Sequence, residues 1–371
     1  AVTPLSRPLS GTPYPHPPYP KMPRIVKIMP TYKEVELKPE TKAEQEARRK
    51  ARMLDIGQIV VSEHCQFIVQ QLIGSGMFGE VYMVASVKNP EKKYAMKTEG
   101  VAKDPSQKMY MRLKVEIAVY NAITDAKDDL IDKSHFVHLI AKGMSNSFKY
   151  YVMDLAWKPL NGIIEMLGGK IRPHSKISIA RQTLAGIEGL HTIGFIHRDI
   201  KPGNYAVGLP PNDKIIYTLD FGIAKEYRDK NKKHNVPRDR VRFLGTPKYA
   251  SINGLEERDQ GRRDDLEAWL YMMIEIYDPK NMPWADEEDF VKCIKMRRDF
   301  FRNADRLHSQ GVLPYSFYLI AKTINKMSFY DAGKFDVING YLDAVVREEK
   351  IDMSLPLDWV GKYEEIQKKK K

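Results

Sequence analysis

Two short polar segments near the middle of the chain constrain its fold more than anything else in it. Phe195-Ile-His-Arg-Asp-Ile-Lys-Pro-Gly-Asn204 is followed, fifteen residues on, by Leu219-Asp-Phe-Gly222. The first sets a carboxylate, a cation and an amide oxygen at Asp199, Lys201 and Asn204, and the second adds a carboxylate at Asp220. His-Arg-Asp or Asp-Phe-Gly alone arises by chance. Both together, in order and at this spacing, do not. Carboxylate and amide oxygens are the donors that hard cations take, so a fold that uses all four residues must bring them to one place.

Upstream, Ile73-Gly-Ser-Gly-Met-Phe-Gly-Glu-Val-Tyr82 contains G-x-G-x-x-G-x-V at Gly74, Gly76, Gly79 and Val81. Dinucleotide-binding folds also use G-x-G-x-x-G, but there the glycines open a helix. Here apolar stretches at 67–73 and 81–87 flank them, which predicts a strand–loop–strand hairpin. Backbone free of side chains lets such a loop close over phosphates. Tyr94-Ala-Met-Lys97 then reads as a short apolar strand carrying one Lys. Over residues 109–122, Met111, Val115, Ala118, Val119 and Ala122 recur at helical spacing, and Glu116 is the only acidic residue.

Taken together, these motifs resemble those of protein kinases: glycine-rich loop, strand Lys, helix Glu, catalytic loop and metal-binding turn. The resemblance implies an α+β, bilobal protein-kinase fold with a β-rich N-lobe and a mainly helical C-lobe, and it implies ATP and Mg²⁺ as cofactors. Phosphoryl transfer asks for alignment of the hydroxyl and neutralisation of phosphate charge rather than covalent help. On that pattern Asp199 is the base, Asn204 and Asp220 are the metal ligands, and Lys201 reaches the γ-phosphate and marks a serine/threonine enzyme. Lys97 would hold the α- and β-phosphates with Glu116 as its ion-pair partner. Ile73, Gly74, Ser75, Gly76, Met77, Phe78 and Gly79 would cover the phosphates. Val81, Ala95 and Ala206 would contact the adenine ring. Met153-Asp-Leu-Ala-Trp-Lys158 would be the hinge, its backbone bonding the adenine edge near Asp154 and Ala156.

The rest of the chain is organised around that core. With 371 residues, 43% of them hydrophobic, it suits one two-lobed domain plus tails. Residues 1–38 hold Pro4, Pro8, Pro13, Pro15, Pro17, Pro18, Pro20, Pro23 and Pro30 with few large aliphatics, so they form a disordered basic tail. Residues 13–20 favour polyproline II, which an SH3- or WW-type groove could take, although a tail without such a partner is the plainer reading. Residues 39–56 read as a lead-in helix, 57–153 as the N-lobe, 154–350 as the C-lobe and 351–371 as a C-terminal tail. Helical periodicity in the C-lobe stands out over 177–193 and 266–277.

Two cysteines, Cys65 and Cys293, cannot build a disulfide framework, and no apolar run approaches a membrane span. The expectation is a cytoplasmic protein, with nuclear access if the Lys368–Lys371 run acts as a signal rather than a solvated tail. A net charge of +12 points to acidic partners. Nucleic acid is disfavoured because no nucleic-acid module is present, and protein substrates of acidic character are preferred.

The end of the activation segment narrows the resemblance. Gly245-Thr-Pro-Lys-Tyr-Ala-Ser-Ile-Asn253 carries Ser-Ile-Asn where most protein kinases carry Ala-Pro-Glu, and Gly261-Arg-Arg-Asp-Asp-Leu-Glu267 follows. Both resemble the casein kinase 1 superfamily over about residues 64–350. Asn204-Tyr-Ala-Val-Gly208 and Tyr217-Thr-Leu-Asp-Phe-Gly222 look more like its tau-tubulin kinase branch. The resemblance implies that Thr246 contacts Asp199 and Lys201, and that Asp265 accepts hydrogen bonds from the catalytic-loop backbone. Two departures stand against a preference for prephosphorylated substrates. Lys248 replaces the family's anion-binding Arg, and the basic patch after Pro283-Trp284 is acidic, Ala285-Asp-Glu-Glu-Asp289.

Two further readings concern control and substrate. Between Ile223 and Gly245 there is no Ser or Thr, and Tyr227 is the only hydroxyl, so a phosphorylation switch on Arg198 has little to act on and constitutive activity is expected. Lys225, Arg228, Lys230, Lys232, Lys233, Arg238, Arg240, Arg242 and Lys248 crowd the same region. Set beside a peptide groove, they would draw acidic sequences. A scaffold that binds partners without catalysis is the rival reading, but such chains usually lack one of Lys97, Asp199 or Asp220, and all three stand here. A small-molecule phosphotransferase is a weaker rival, against which the ordered activation-segment motifs speak.

Overall fold

A computed structural model describes residues 54–76, 79–101, 112–145, 147–229, 231–309, 311 and 313–370. The proline-rich segment, most of the expected lead-in helix, Met77, Phe78 and Lys230 lie outside these residues. The last three residues of that expected helix, 54–56, are not helical. Leu54 is instead a core residue of the N-lobe, 5% exposed, and its N–H donates to the Tyr82 hydroxyl at 2.9 Å.

Strands β1 (Ile59–Val61), β2 (Gln66–Gly76), β3 (Gly79–Ser86), β4 (Lys93–Gly100), β5 (Leu139–Met144) and β6 (Phe148–Asp154) form one antiparallel sheet in the order β1-β2-β3-β4-β6-β5. Helix α1 (Leu113–Asp125) is inserted between β4 and β5. The strand period of two decides what each face carries. Met96, Tyr150 and Val152 pack on one side with Phe67, Val69, Tyr82 and Val84. Ala95, Tyr151 and Met153 pack on the other, against Leu113, Val119, Tyr120 and Ile123 of α1.

The glycine-rich segment is a hairpin, as its flanking apolar stretches require: Gly76 pairs with Gly79, and a strand rather than a helix follows. Register slips between Val69 and Gln71 and between Leu72 and Gly74 bend β2. A Cβ on Gly79 would lie 1.9 Å from the Thr98 carbonyl oxygen, so only glycine lets β3 lie so close to β4 there.

The helical lobe begins with β7 (Ala156–Pro159), α2 (Leu160–Met166) and α3 (Pro173–Thr192). Four short strands follow: β8 (Phe195–Ile196), β9 (Tyr205–Gly208), β10 (Ile216–Thr218) and β11 (Lys225–Glu226). β9 pairs with β7 and β10, and β11 pairs with β8. The remaining helices are α4 (Ile252–Leu255), α5 (Arg262–Tyr277), α6 (Phe290–Arg302), α7 (Asp305–Ser309), α8 (Tyr315–Asn325), α9 (Phe335–Glu348) and α10 (Lys362–Lys370). α5 is buried on every side from Asp264 to Ile274, the mark of a central helix. It packs on α3, where Trp269 Nε1 donates to Thr183 Oγ1 at 2.9 Å. No described helix is long and apolar enough to cross a membrane.

Residues 351–361, set apart above as a tail, belong to this lobe. Trp359 is fully buried, and its Nε1 donates to the Asp213 carbonyl at 2.8 Å. Asp358 pairs with Arg172 at the start of α3. A lone aromatic anchor in a short stretch without strand or helix periodicity gave no sign of itself in the sequence. Only α10, which carries the terminal lysines, has the polar composition of a tail.

Candidate active site

The loop between β8 and β9 is held from below by one carboxylate. Asp265, buried in the first turn of α5, accepts the N–H groups of His197 and Arg198 at 2.8 Å each, together with His191 Nε2 at 2.8 Å. Arg198 needs that grip, because its φ of 68° is an unfavourable conformation for a residue with a side chain. The next residue, Asp199, presents its carboxylate to Thr246, Lys201 and Asn204. Its Oδ1 accepts from the Thr246 hydroxyl at 2.8 Å, and its Oδ2 lies 2.8 Å from Lys201 Nζ. Lys201 also donates to Thr246 Oγ1 at 2.8 Å. Asn204 Nδ2 donates to the Asp199 carbonyl at 2.7 Å and to its Oδ2 at 3.0 Å. Asp199, Lys201, Asn204 and Thr246, which the sequence places up to 47 positions apart, therefore form one cluster.

Asp220 also has a positive φ, 61°, and the neighbouring side chain fixes it there. The Phe221 ring is fully buried between Tyr120 of α1 and His197, with ring centroids 5.2 and 5.5 Å away. Asp220 is thereby turned into the cleft, where its Oδ1 lies 3.1 Å from Lys97 Nζ. Lys97 meets Glu116 on α1 at 2.8 Å, and the Tyr151 hydroxyl donates to the same carboxylate at 2.6 Å. Burial works against the Lys97 ammonium, but Glu116 and Asp220 outweigh it and hold its pKa above the usual value. Burial would likewise raise the Asp220 carboxyl, but Lys97 draws it down to about 2. Burial also pushes the Glu116 carboxyl up, with the Lys97 charge opposing it.

A cleft of about 320 Å³ runs between the lobes, lined by Gly76, Gly79, Val81, Lys97, Glu116, Asp199, Lys201 and Asp220. Ile73, Gly74 and Ser75 lie on the same hairpin, with Ile73 45% exposed. Ala95 and Met153 are buried side by side on β4 and β6, Ala206 is buried on β9, and Ala156 pairs with Gly208. The Asp154 N–H donates to the His138 carbonyl, and its carboxylate accepts from the His138 N–H. Asn204 lies beneath Asp199, 4% exposed. Among the described residues no donor is placed on Asp220 Oδ2 or Asn204 Oδ1, so this oxygen pair suits a hard cation that also binds phosphate. Arg112 lines the same cleft and was not singled out in the sequence, where nothing marks it except its place just before α1.

A family model described as protein kinase domain matches residues 67–316. The chain belongs to the protein kinase family. A Caenorhabditis elegans protein named as a candidate serine/threonine-protein kinase is 31% identical over 273 residues, covering 72% of this chain and 78% of its own. The serine/threonine-protein kinase spe-6 of the same organism is 29% identical over 316 residues, 80% of this chain and 76% of its own. The protein is a serine/threonine protein kinase.

In this kinase the activation segment is tied down by its own charges. Lys225 and Arg238 both grip Asp259, Arg240 pairs with Glu257, and Lys248 meets Glu275 at 2.6 Å. Arg228 caps the C-terminus of α3 through the Thr192 carbonyl. Most of the basic crowd seen in the sequence is thus neutralised or used internally. Lys232, Lys233 and Arg242 are exposed without a side-chain partner among the described residues. Lys232 lines a different cavity, of about 620 Å³, at the C-terminal ends of α1 and α3. Lys232 therefore borders that cavity and not the cleft that holds Asp199. Of these three exposed cations, Arg242 lies nearest in the chain to the Asp199 cluster, four residues before Thr246. Below the segment, Arg297 donates to the Pro247 and Lys248 carbonyls, its guanidinium set between the rings of Tyr271 and Trp284.

Proposed function

We propose that this serine/threonine kinase takes Mg²⁺–ATP as phosphoryl donor, lies in the tau-tubulin kinase-like branch of the casein kinase 1 superfamily, and prefers Ser or Thr in acidic surroundings. The observation that carries the catalytic reading is the convergence of Lys97, Glu116 and Asp220 with the Asp199–Lys201–Thr246–Asn204 cluster on one cleft.

Asp199 accepts the proton of the incoming hydroxyl as that oxygen bonds to the γ-phosphorus and the bond to ADP breaks. Thr246 and Asn204 hold the carboxylate in line, and Lys201 faces the transferred group. Lys97, oriented by Glu116, meets the α- and β-phosphates under the glycine hairpin. Asp220 and Asn204 would hold Mg²⁺, which when bound neutralises phosphate charge.

Branch membership is supported by Ser251-Ile-Asn253 and its ties. Ser251 caps α4 through the Gly254 N–H, and Asn253 Nδ2 reaches Asp264 at 3.0 Å. With Lys248 engaged by Glu275, recognition of a phosphate already on the substrate is not part of the proposal. The acidic preference rests on Arg242 and the net charge of +12. A cytoplasmic location belongs to the same proposal, and nuclear access and an SH3- or WW-type partner for the proline-rich segment are its secondary readings.

Matched peptides with acidic and basic flanks around one Ser test the preference. Acidic peptides should give the higher kcat/KM, falling as salt shortens screening to about 8 Å at 0.15 M. Arg242→Ala should raise KM for them while leaving ATP affinity unchanged, and equal rates at all salt concentrations would refute the preference.

A further inference from the structure

The Asp259 carboxylate is 1% exposed and lies between two parts of the activation segment. Its Oδ1 accepts from Lys225 Nζ at 2.7 Å and Arg238 Nη2 at 2.9 Å. Its Oδ2 accepts from Lys225 Nζ at 2.6 Å, from the Arg238 N–H at 3.1 Å and from Arg238 Nε at 3.2 Å. Lys225 is on β11, just after the Asp220 turn, and Arg238 lies midway to Gly245. Asp259 itself follows α4, beyond Thr246. One carboxylate thus fastens the beginning and middle of the segment to the element past its end. Arg198, beside Asp199, feels the same charge: burial and Arg238 push its pKa down, and Asp259 and Asp265 oppose them.

A charge-assisted cluster of this kind is what a phosphorylated residue makes when it orders such a loop. Here a covalent phosphate has no acceptor. Between Ile223 and Gly245 the segment has no Ser or Thr, and Tyr227 is 3% exposed with its hydroxyl on the His191 carbonyl. We propose that Asp259 is the positioning residue that takes the place of the activating phosphate and holds the segment, and with it Thr246, in the catalytic arrangement. The proposal rests on the reading of constitutive activity and supplies its physical cause.

Chemical rescue tests it. Asp259→Ala leaves Lys225 and Arg238 facing the gap of one missing carboxylate group, which a small anion can enter. kcat/KM for a protein substrate should fall on the order of tenfold to a hundredfold, with Mg²⁺–ATP binding kept. Sodium acetate or inorganic phosphate should restore much of the activity and slow tryptic cleavage within 225–245, and sodium chloride at equal ionic strength should not. An Asp259→Ala enzyme that binds Mg²⁺–ATP but is fully active, or is impaired and not rescued, overturns the proposal.

If Asp259→Ala fails to fold, the Lys225→Met/Arg238→Met pair carries the test. It should lose activity to a similar degree and gain nothing from acetate, and full activity in that pair would equally overturn the proposal. Phosphatase treatment of the wild type is the separate check. Loss of activity there would remove the constitutive reading, whatever acetate does to Asp259→Ala.

Discussion

Thr246 gives its hydroxyl hydrogen to Asp199 Oδ1 at 2.8 Å, a bond that joins the activation segment to the catalytic loop. Because Lys201 donates to the same hydroxyl oxygen, Thr246 relays between the cation and the carboxylate and fixes the distance between them. Thr246→Val keeps the shape and removes both bonds. It should lower kcat by about tenfold, the cost of one charge-assisted hydrogen bond, with KM for ATP unchanged. Thr246→Ser should keep most of the rate. A Val variant as fast as wild type would mean the contact is incidental.

The two cleft aspartates should fail differently when their charge is removed. Asp199→Asn should cut phosphoryl transfer by about a hundredfold or more while leaving nucleotide affinity nearly intact. Asp220→Asn should instead weaken Mg²⁺–ATP binding, because Asp220 opposes Lys97 and faces the cleft. Nucleotide titration beside steady-state kinetics separates the two. Identical defects would show that the division of labour is wrong.

His191 gives the fold a pH dependence. Burial holds its pKa below the usual value, against the hydrogen bond to Asp265, and the charges of Arg262 and His197 press the same way. The folded ring stays neutral and donates from Nε2 to Asp265. The unfolded chain takes up a proton near its ordinary pKa of about 6.5. The contribution is therefore fully present above that pH and is lost as pH falls towards the lower folded pKa, by up to about 1.4 kcal/mol per unit. Thermal melts from pH 7 to 5 should show a steeper decline in wild type than in His191→Gln, which keeps a donor without titrating. Parallel curves would exclude His191 as the source.

Trp359 tests how far the folded domain extends. Its ring is fully buried and its Nε1 is bonded to Asp213. Trp359→Ala should cost about 3–5 kcal/mol, and truncation after Lys350 should cost at least as much. Truncation after Lys362, which spares Trp359, should cost little. Denaturant titration of the three variants reads this directly, and an unchanged midpoint for Trp359→Ala would return residues 351–361 to the tail.

The contacts that were legible in the sequence and those that were not differ in kind. The hairpin at Gly76 and Gly79 follows from apolar strands flanking glycines, and the Lys97 strand and Glu116 helix follow from periodicity. Tyr151 gave no sign of reaching Glu116, because nothing local says which face of β6 meets α1. Glu275 lies 27 positions from Lys248, and Asp259 lies 34 from Lys225. Each is an ordinary carboxylate in a charged stretch until the helices bring it under the activation segment. The basic segment shows the same limit: counting lysines and arginines does not reveal which are already paired.

By itself, then, the sequence determined the chemistry, because phosphoryl transfer demands a base, a cation and metal-binding oxygens at spacings that a single loop and turn can satisfy. It also determined the two-lobed architecture, through strand and helix periods that act over a few residues. Only the tertiary structure decided which charges remain free, what holds the activation segment, and where the domain ends. Those outcomes depend on desolvation and on partners tens of residues apart, and burial alone makes such partners strong.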